Sequence, residues 1–171
     1  MKKTLHFVLL LLVPILSAAQ DKNLIIQQAT IVANATKTLD FPTIIKYTHA
    51  SAIKLAGGTD AMLKLLTSTM GSMNEQGIQI DSVKLGQPGN FFKAGNEIHC
   101  LLPQELIMKY GSDKKIITKG YLLAISSDNG LKWTFLNLSE QLNNQTITKL
   151  LPNFNQEMVL PTDSKMEVVE Q

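Results

Sequence analysis

The chain has 171 residues, enough for one domain with its own core, and carries sixteen basic residues against fourteen acidic ones, a formal net charge of +2. Every basic residue is a lysine; arginine, whose planar fork best reads phosphates and guanine edges, is absent, so nucleic acid is not an expected partner. Cys100 is the only cysteine, which excludes an internal disulfide and leaves stability to packing.

Lys2 and Lys3 precede an apolar run from Phe7 to Leu16 that ends at Ser17, Ala18 and Ala19. Charged start, apolar centre and small-residue end form the pattern of a cleaved export signal over residues 1–19, with a periplasmic or extracellular product. The run is about half the roughly 20 residues of a spanning helix, and no later stretch is longer, so no stable membrane anchor is expected. Without those two lysines the remaining lysines and acids balance, and the mature domain is neutral.

From Asp21 to Leu39 the apolar positions Leu24, Ile25, Ile31, Val32, Ala35 and Leu39 recur at helical spacing and predict an amphipathic first helix. Asp40 before Phe41 and Pro42 is a good helix start, and a short second helix is predicted over Phe41 to Tyr47. Gly57 and Gly58 break the chain before Thr59, a candidate cap. Met62, Leu63, Leu66, Met70 and Met73 then repeat at helical spacing up to Gly77. Beyond it the period changes to two: Ile78 and Ile80, then Val83 and Leu85, with a slip at Asp81 and Ser82 that predicts a bulge. Further strands are predicted over Asn90 to Lys93, Glu97 to Lys109, Ile116 to Ser126 and Leu131 to Asn137, giving an antiparallel meander. A helix is expected over Ser139 to Leu151, and an extended polar tail over residues 156–171.

Helices first and antiparallel strands afterwards make an α+β layout with helices on one sheet face. In the strand from Ile116 to Ser126, apolar side chains fall on both faces, so both need cover: helices on one, a second subunit on the other. The order of elements around KYTHASAIKLAGGTDAMLKLL, over roughly residues 21–138, resembles the nuclear transport factor 2-like superfamily, which includes SnoaL-like cyclases and ketosteroid isomerases. The resemblance implies a cone-shaped roll over residues 20–155, its amino-terminal helices packed on a curved, mainly antiparallel sheet. It further implies a pocket between helices and sheet, and a homodimer through the outer sheet face.

Ser126, Asp128, Gly130 and Trp133 in SSDNGLKW match the hairpin box that recurs in sialidase-like propellers. A propeller needs at least four four-stranded blades, and one copy in a chain this short predicts only a tight hairpin with Trp133 packed beneath it. His49, in the turn after Tyr47, faces the pocket mouth in the resembled family. There it serves as an acid, a base or a hydrogen-bond donor, or simply caps the turn. Asp40 is a candidate isomerase base or an N-cap; the family's catalytic acids have no matching motif here. His99 and Cys100 are neighbours on a strand and point to opposite faces, His99 with Glu97 and Leu101, Cys100 with Ile98 and Leu102. They cannot form a catalytic pair, and two histidines lack the third ligand of a metal site. Met62, Met70 and Met73 suit an adaptable apolar wall or a plain core. The triplets at Asn34, Asn137 and Asn144 are formal glycosylation acceptors.

The candidate ligand-binding residues are therefore Tyr47, His49, Met70 and Met73, with no catalytic, metal or cofactor set. Three functions follow: a non-catalytic module for a small apolar ligand or a protein partner, an isomerase-like enzyme using Asp40, Tyr47 or His49, and a structural homodimer or envelope-assembly subunit.

Overall fold

The computed structural model describes residues 22–138, 144–161 and 165–170. The export signal read in residues 1–19 lies outside them. The first helix, α1 (Lys22–Thr38), meets the sheet through Ile25, Ala29 and Ala33, a stripe of every fourth residue. Ile31 and Leu39, part of the expected apolar face, are exposed instead. The difference matters, because alanine brings the helix backbone close to the sheet without filling the space beside it. Leu39 ends α1 in the left-handed region at φ 56°, where glycine is the usual choice, and turns the chain straight into α2 (Phe41–Tyr47). Asp40 caps α2 as its position predicts: one carboxylate oxygen accepts the Thr43 N–H at 3.2 Å, the other the Thr43 hydroxyl at 2.6 Å.

A short helix that periodicity did not reveal, α3 (Ala50–Leu55), follows, capped by the His49 ring. At Gly57 and Gly58 (φ 93° and 105°) the chain reverses into α4 (Thr59–Glu75). Thr59 is the first residue of α4, and Gly58 takes the cap position. All seventeen residues of α4 remain at least partly exposed; its inner face of Met62, Leu66, Met70 and Met73 is only half buried.

Six strands form one open antiparallel sheet: β1 (Ile78–Leu85), β2 (Phe91–Ala94), β3 (Glu97–Tyr110), β4 (Lys114–Ser126), β5 (Thr134–Leu138) and β6 (Lys165–Glu170). The fold is α+β, as expected. The long β3–β4 hairpin is its spine. Toward one end β2 flanks β3 and β5 flanks β4; toward the other, β1 and β6 take those places. The predicted bulge is present, as a register shift between Ile80 and Ser82. Between the two ends lie Gly86, Pro103 and Gly120. The Gly86 N–H bonds the Pro103 carbonyl at 2.8 Å, and a Cβ on Gly86 would lie 2.9 Å from the Pro103 ring, so only glycine fits.

The two sheet faces bury different cores. On one, Ile98, Cys100, Leu102, Leu122, Ala124, Trp133 and Phe135 pack against Ile25 and Ala29 of α1. On the other, Leu123, Ile125, Leu136 and Leu138 are covered by α5 (Asn144–Leu150) and the segment after it, through Ile147, Leu151, Phe154 and Met158. Over this half of the face the chain itself supplies the second layer. The other half of this face is laced by cross-strand ion pairs, Lys109–Asp81 at 2.8 Å, Lys84–Glu105 at 3.5 Å and Lys119–Glu167 at 3.6 Å. The Lys109 ammonium holds the Asp81 carboxyl below the usual carboxylate range. Where the sequence suggests an extended polar tail, Met158 is buried and β6 pairs along β4. Among the described residues, no helix is long and apolar enough to cross a membrane.

The SSDNGLKW hairpin forms as its residues predict. The Ser126 hydroxyl accepts the Gly130 N–H at 2.9 Å, and the Asp128 carboxylate accepts the N–H groups of Leu131 and Lys132 at 3.1 and 2.8 Å. These donors, the Lys132 N–H foremost, hold the Asp128 carboxyl below its ordinary range. Trp133 lies beneath, buried, its indole N–H donating to the Gly130 carbonyl at 3.0 Å. Gln28 of α1 locks the hairpin from the other side. Its side-chain oxygen accepts the Trp133 N–H at 2.8 Å and its amide donates to the Leu131 carbonyl at 3.1 Å.

Candidate functional site

Beside the alanine stripe of α1 the helical layer does not reach the sheet, and an apolar cavity of about 350 Å³ remains. Ala29, Val32 and Ala33 form its roof, Leu85, Leu106, Leu122 and Phe135 its floor, and Tyr47, Ala52 and Leu66 its helical sides. Among the described residues, no charged side chain lines it. Thr36 and Thr48 also reach the wall, but both hydroxyls donate to carbonyls of their own helices, at 2.9 and 2.8 Å. Tyr47 brings a hydroxyl-bearing ring, and the sheet contributes Gln104 of β3 and Asn137 of β5. The Gln104 amide donates to the Asn137 side-chain oxygen at 2.9 Å, which leaves one oxygen and one amino group of the pair without a further partner among the described residues. Such a cavity is suited to a molecule, or a portion of one, that is uncharged and apolar over most of its surface.

The four candidate residues divide among three places. Tyr47 lines the cavity. Met70 and Met73 line a separate groove of about 490 Å³ beneath the carboxy-terminal half of α4, with Phe41, Ile78 and Ile80. His49 lies in neither. Its Nδ1 accepts the Ser51 N–H that caps α3, at 3.3 Å, and lies 2.8 Å from the Ser51 hydroxyl; its Nε2 faces Glu97 Oε1 at 3.5 Å. The other oxygen of Glu97 meets His99 Nε2 at 3.2 Å, and the Ser127 hydroxyl donates to Oε1 at 3.3 Å. Glu97 thus joins His49 to His99. The alternation along β3 places Glu97 and His99 on one face, but the meeting with His49 depends on how the α2–α3 link docks. That link reaches β5 through a bridge between Thr48 and Phe135, with the His49 N–H donating to the Phe135 carbonyl at 3.2 Å.

His99 is fully buried and stacks on Phe154, ring centroids 5.7 Å apart. Its Nδ1 has no hydrogen-bond partner among the described residues. A bare ring nitrogen is less costly to bury than an unpaired N–H, so the imidazole is neutral with its proton on Nε2, donated to Glu97. Burial holds its pKa below the ordinary 6.5 despite the opposing pull of Glu97, and a charge on His49 would lower it further. The folded state therefore binds fewer protons than the unfolded state below 6.5, and stability is lost as the pH falls through the depressed folded value. Asp40, Asp81 and Asp128, all lowered from 3.8, act in a more acidic range. We expect His99→Phe, which keeps the stacking, to flatten the loss of stability between about pH 7.5 and pH 5 in urea denaturation. Equal slopes for the two proteins would exclude His99 as the titrating group.

Cys100, on the opposite face, is fully buried among Ile98, Leu102 and Ala124, and burial pushes its thiol up to about 11, so it packs as a small hydrophobe. Among the described residues, no three histidine, cysteine or acidic side chains gather as a metal site. Compared with family models, curated proteins and solved structures, the chain matches none.

Proposed function

We propose that this is a non-catalytic binding domain that holds a small, largely apolar molecule in the cavity between α1 and the sheet. One observation carries the reading: among the described residues the cavity walls are largely apolar and carry no charge, with the Gln104–Asn137 amide pair and Tyr47 as the polar exceptions that keep hydrogen-bonding capacity. Its volume of about 350 Å³ falls in the range of small-molecule sites. The layout also supports a cone-shaped roll of the nuclear transport factor 2-like kind, because the amino-terminal helix α1 packs on one face of an antiparallel sheet with the cavity beside it. The signal pattern of residues 1–19 supports export. An isomerase-like reaction has less support. Of Asp40, Tyr47 and His49 only Tyr47 lines the cavity, while Asp40 caps α2 and His49 is held between Ser51 and Glu97.

Native mass spectrometry of the protein purified from its own host tests the proposal. A single small-molecule adduct is expected, released on denaturation. Absence of any adduct, together with no calorimetric binding of 2-naphthol, a compact neutral bicycle bearing one hydroxyl, would overturn it.

A further inference from the structure

The cavity and the methionine-lined groove share four walls, and along each wall the residues of one follow closely on those of the other. On α1 Thr36 lines the cavity and Lys37 the groove; on α2 it is Ile44 and Phe41; on α4 Leu66 and Met70; on β1 Val83 and Ile80. We propose that the two are one elongated site running beneath α4, and that its occupant is a straight-chain amphiphile with a single anionic head group. This rests on the reading of the cavity as a binding site and names the class of molecule it takes.

Three features support this occupant over a compact ring. The first is length: from Leu66 to Met73 the site follows α4 for seven residues, about 10 Å at the rise of a helix, in addition to the cavity itself. The second is charge. Among the described residues Lys37 is the one charged residue lining the groove; it is exposed and enters no ion pair, since Asp81, whose carboxylate it attracts from a distance, is held by Lys109 at 2.8 Å, and no charged side chain lines the cavity at the other end. An apolar tail in the cavity and an anionic head at Lys37 match that asymmetry. The third is the cover. Helix α4 buries none of its residues fully, is flanked by Gly58 at φ 105° and Gly77 at φ 75°, and faces the site with flexible methionines, so a chain can enter beneath it without breaking a packed core.

Calorimetric titration of the full domain at low salt with hexadecanoate, its methyl ester and hexadecyl phosphate tests the proposal, with 2-naphthol as the probe of the cavity alone. Hexadecanoate or hexadecyl phosphate is expected to bind with one-to-one stoichiometry and about fivefold more tightly than the ester, the scale of one exposed ion pair. The tighter of the two anions identifies the head group. In Lys37→Met the preference for the anion over the ester should vanish. In Met70→Trp, which narrows the groove, the long chains should weaken at least tenfold while 2-naphthol still binds, showing that the domain remains folded. Equal binding of anion and ester to the wild type, or an unchanged preference in Lys37→Met, would overturn the anionic head. Binding of 2-naphthol without any long chain would overturn the elongated site and leave the cavity reading standing; failure of every probe would remove both.

Discussion

Replacing Trp133 by alanine is expected to cost about 3–5 kcal/mol, a large part of the roughly 5–15 kcal/mol that holds a domain of this size folded. The indole is fully buried between the sheet and α1, 6.0 Å from the Phe91 ring centre to centre, in the core that contains Ile25, Ala29 and Cys100. It also closes the hairpin through its bond to the Gly130 carbonyl, and its backbone N–H holds Gln28 of α1. Truncation leaves a cavity where three elements meet, and none of them can collapse without breaking that lock. Trp133→Phe keeps most of the packing but leaves the Gly130 carbonyl without its donor, so a smaller loss, about 1–2 kcal/mol, is expected. Trp133 is the only tryptophan, so unfolding in urea must be followed by circular dichroism. The midpoint should fall with little change in slope. A loss for Trp133→Ala below about 1 kcal/mol would mean that the hairpin is an independent surface turn.

That hairpin was readable in the sequence because its determinants are local. Ser126, Asp128 and Gly130 satisfy one another within five residues, and Asp40 reaches only to Thr43. The bulge at Asp81 and Ser82 is visible for the same reason, since one break in a two-residue period flips the pattern. What remained hidden depends on contacts between distant residues. Gln28 looks like an ordinary polar position of an amphipathic helix until the hairpin arrives more than a hundred residues later. On α1 the pattern places Leu24, Ile25, Val32 and Ala35 inward as found, but it misses Ala29 and Ala33, because alanine carries little weight in a hydrophobic pattern although small side chains allow the close approach and leave the cavity. Glu97 was recognised as sharing a face with His99, but nothing in spacing brings it to His49. Gln104 and Asn137 lie 33 residues apart on strands that both pair with β4, and only the register sets them side by side. Met70 and Met73 were read as pocket wall and line the groove, at the end of the proposed site away from Tyr47.

The largest expected effect on binding follows from the alanine stripe. Ala33 lies nearly buried on α1 and lines the cavity roof, so Ala33→Phe directs a ring into space the ligand needs. An apolar cavity of roughly 150 Å³ already accepts benzene, so the site, at about 350 Å³, has room for a phenyl group without displacing its walls. The substitution should therefore leave stability unchanged or raise it by up to about 1 kcal/mol, as cavity filling commonly does. Binding of 2-naphthol should fall at least about tenfold, a difference of 1.4 kcal/mol in affinity. Gln104→Leu separates shape from polarity: it removes half of the amide pair while keeping the cavity apolar, and should reduce the preference for 2-naphthol over naphthalene more than binding of naphthalene itself. Calorimetry on the three proteins, with urea midpoints as the check on folding, reads both effects. If Ala33→Phe is as stable as the wild type and still binds 2-naphthol with undiminished affinity, the ligand does not sit beneath α1. Lost stability together with lost binding would instead mean that the ring is overpacked, and Ala29→Val, a smaller intrusion into the same roof, would then decide between displacement and damage.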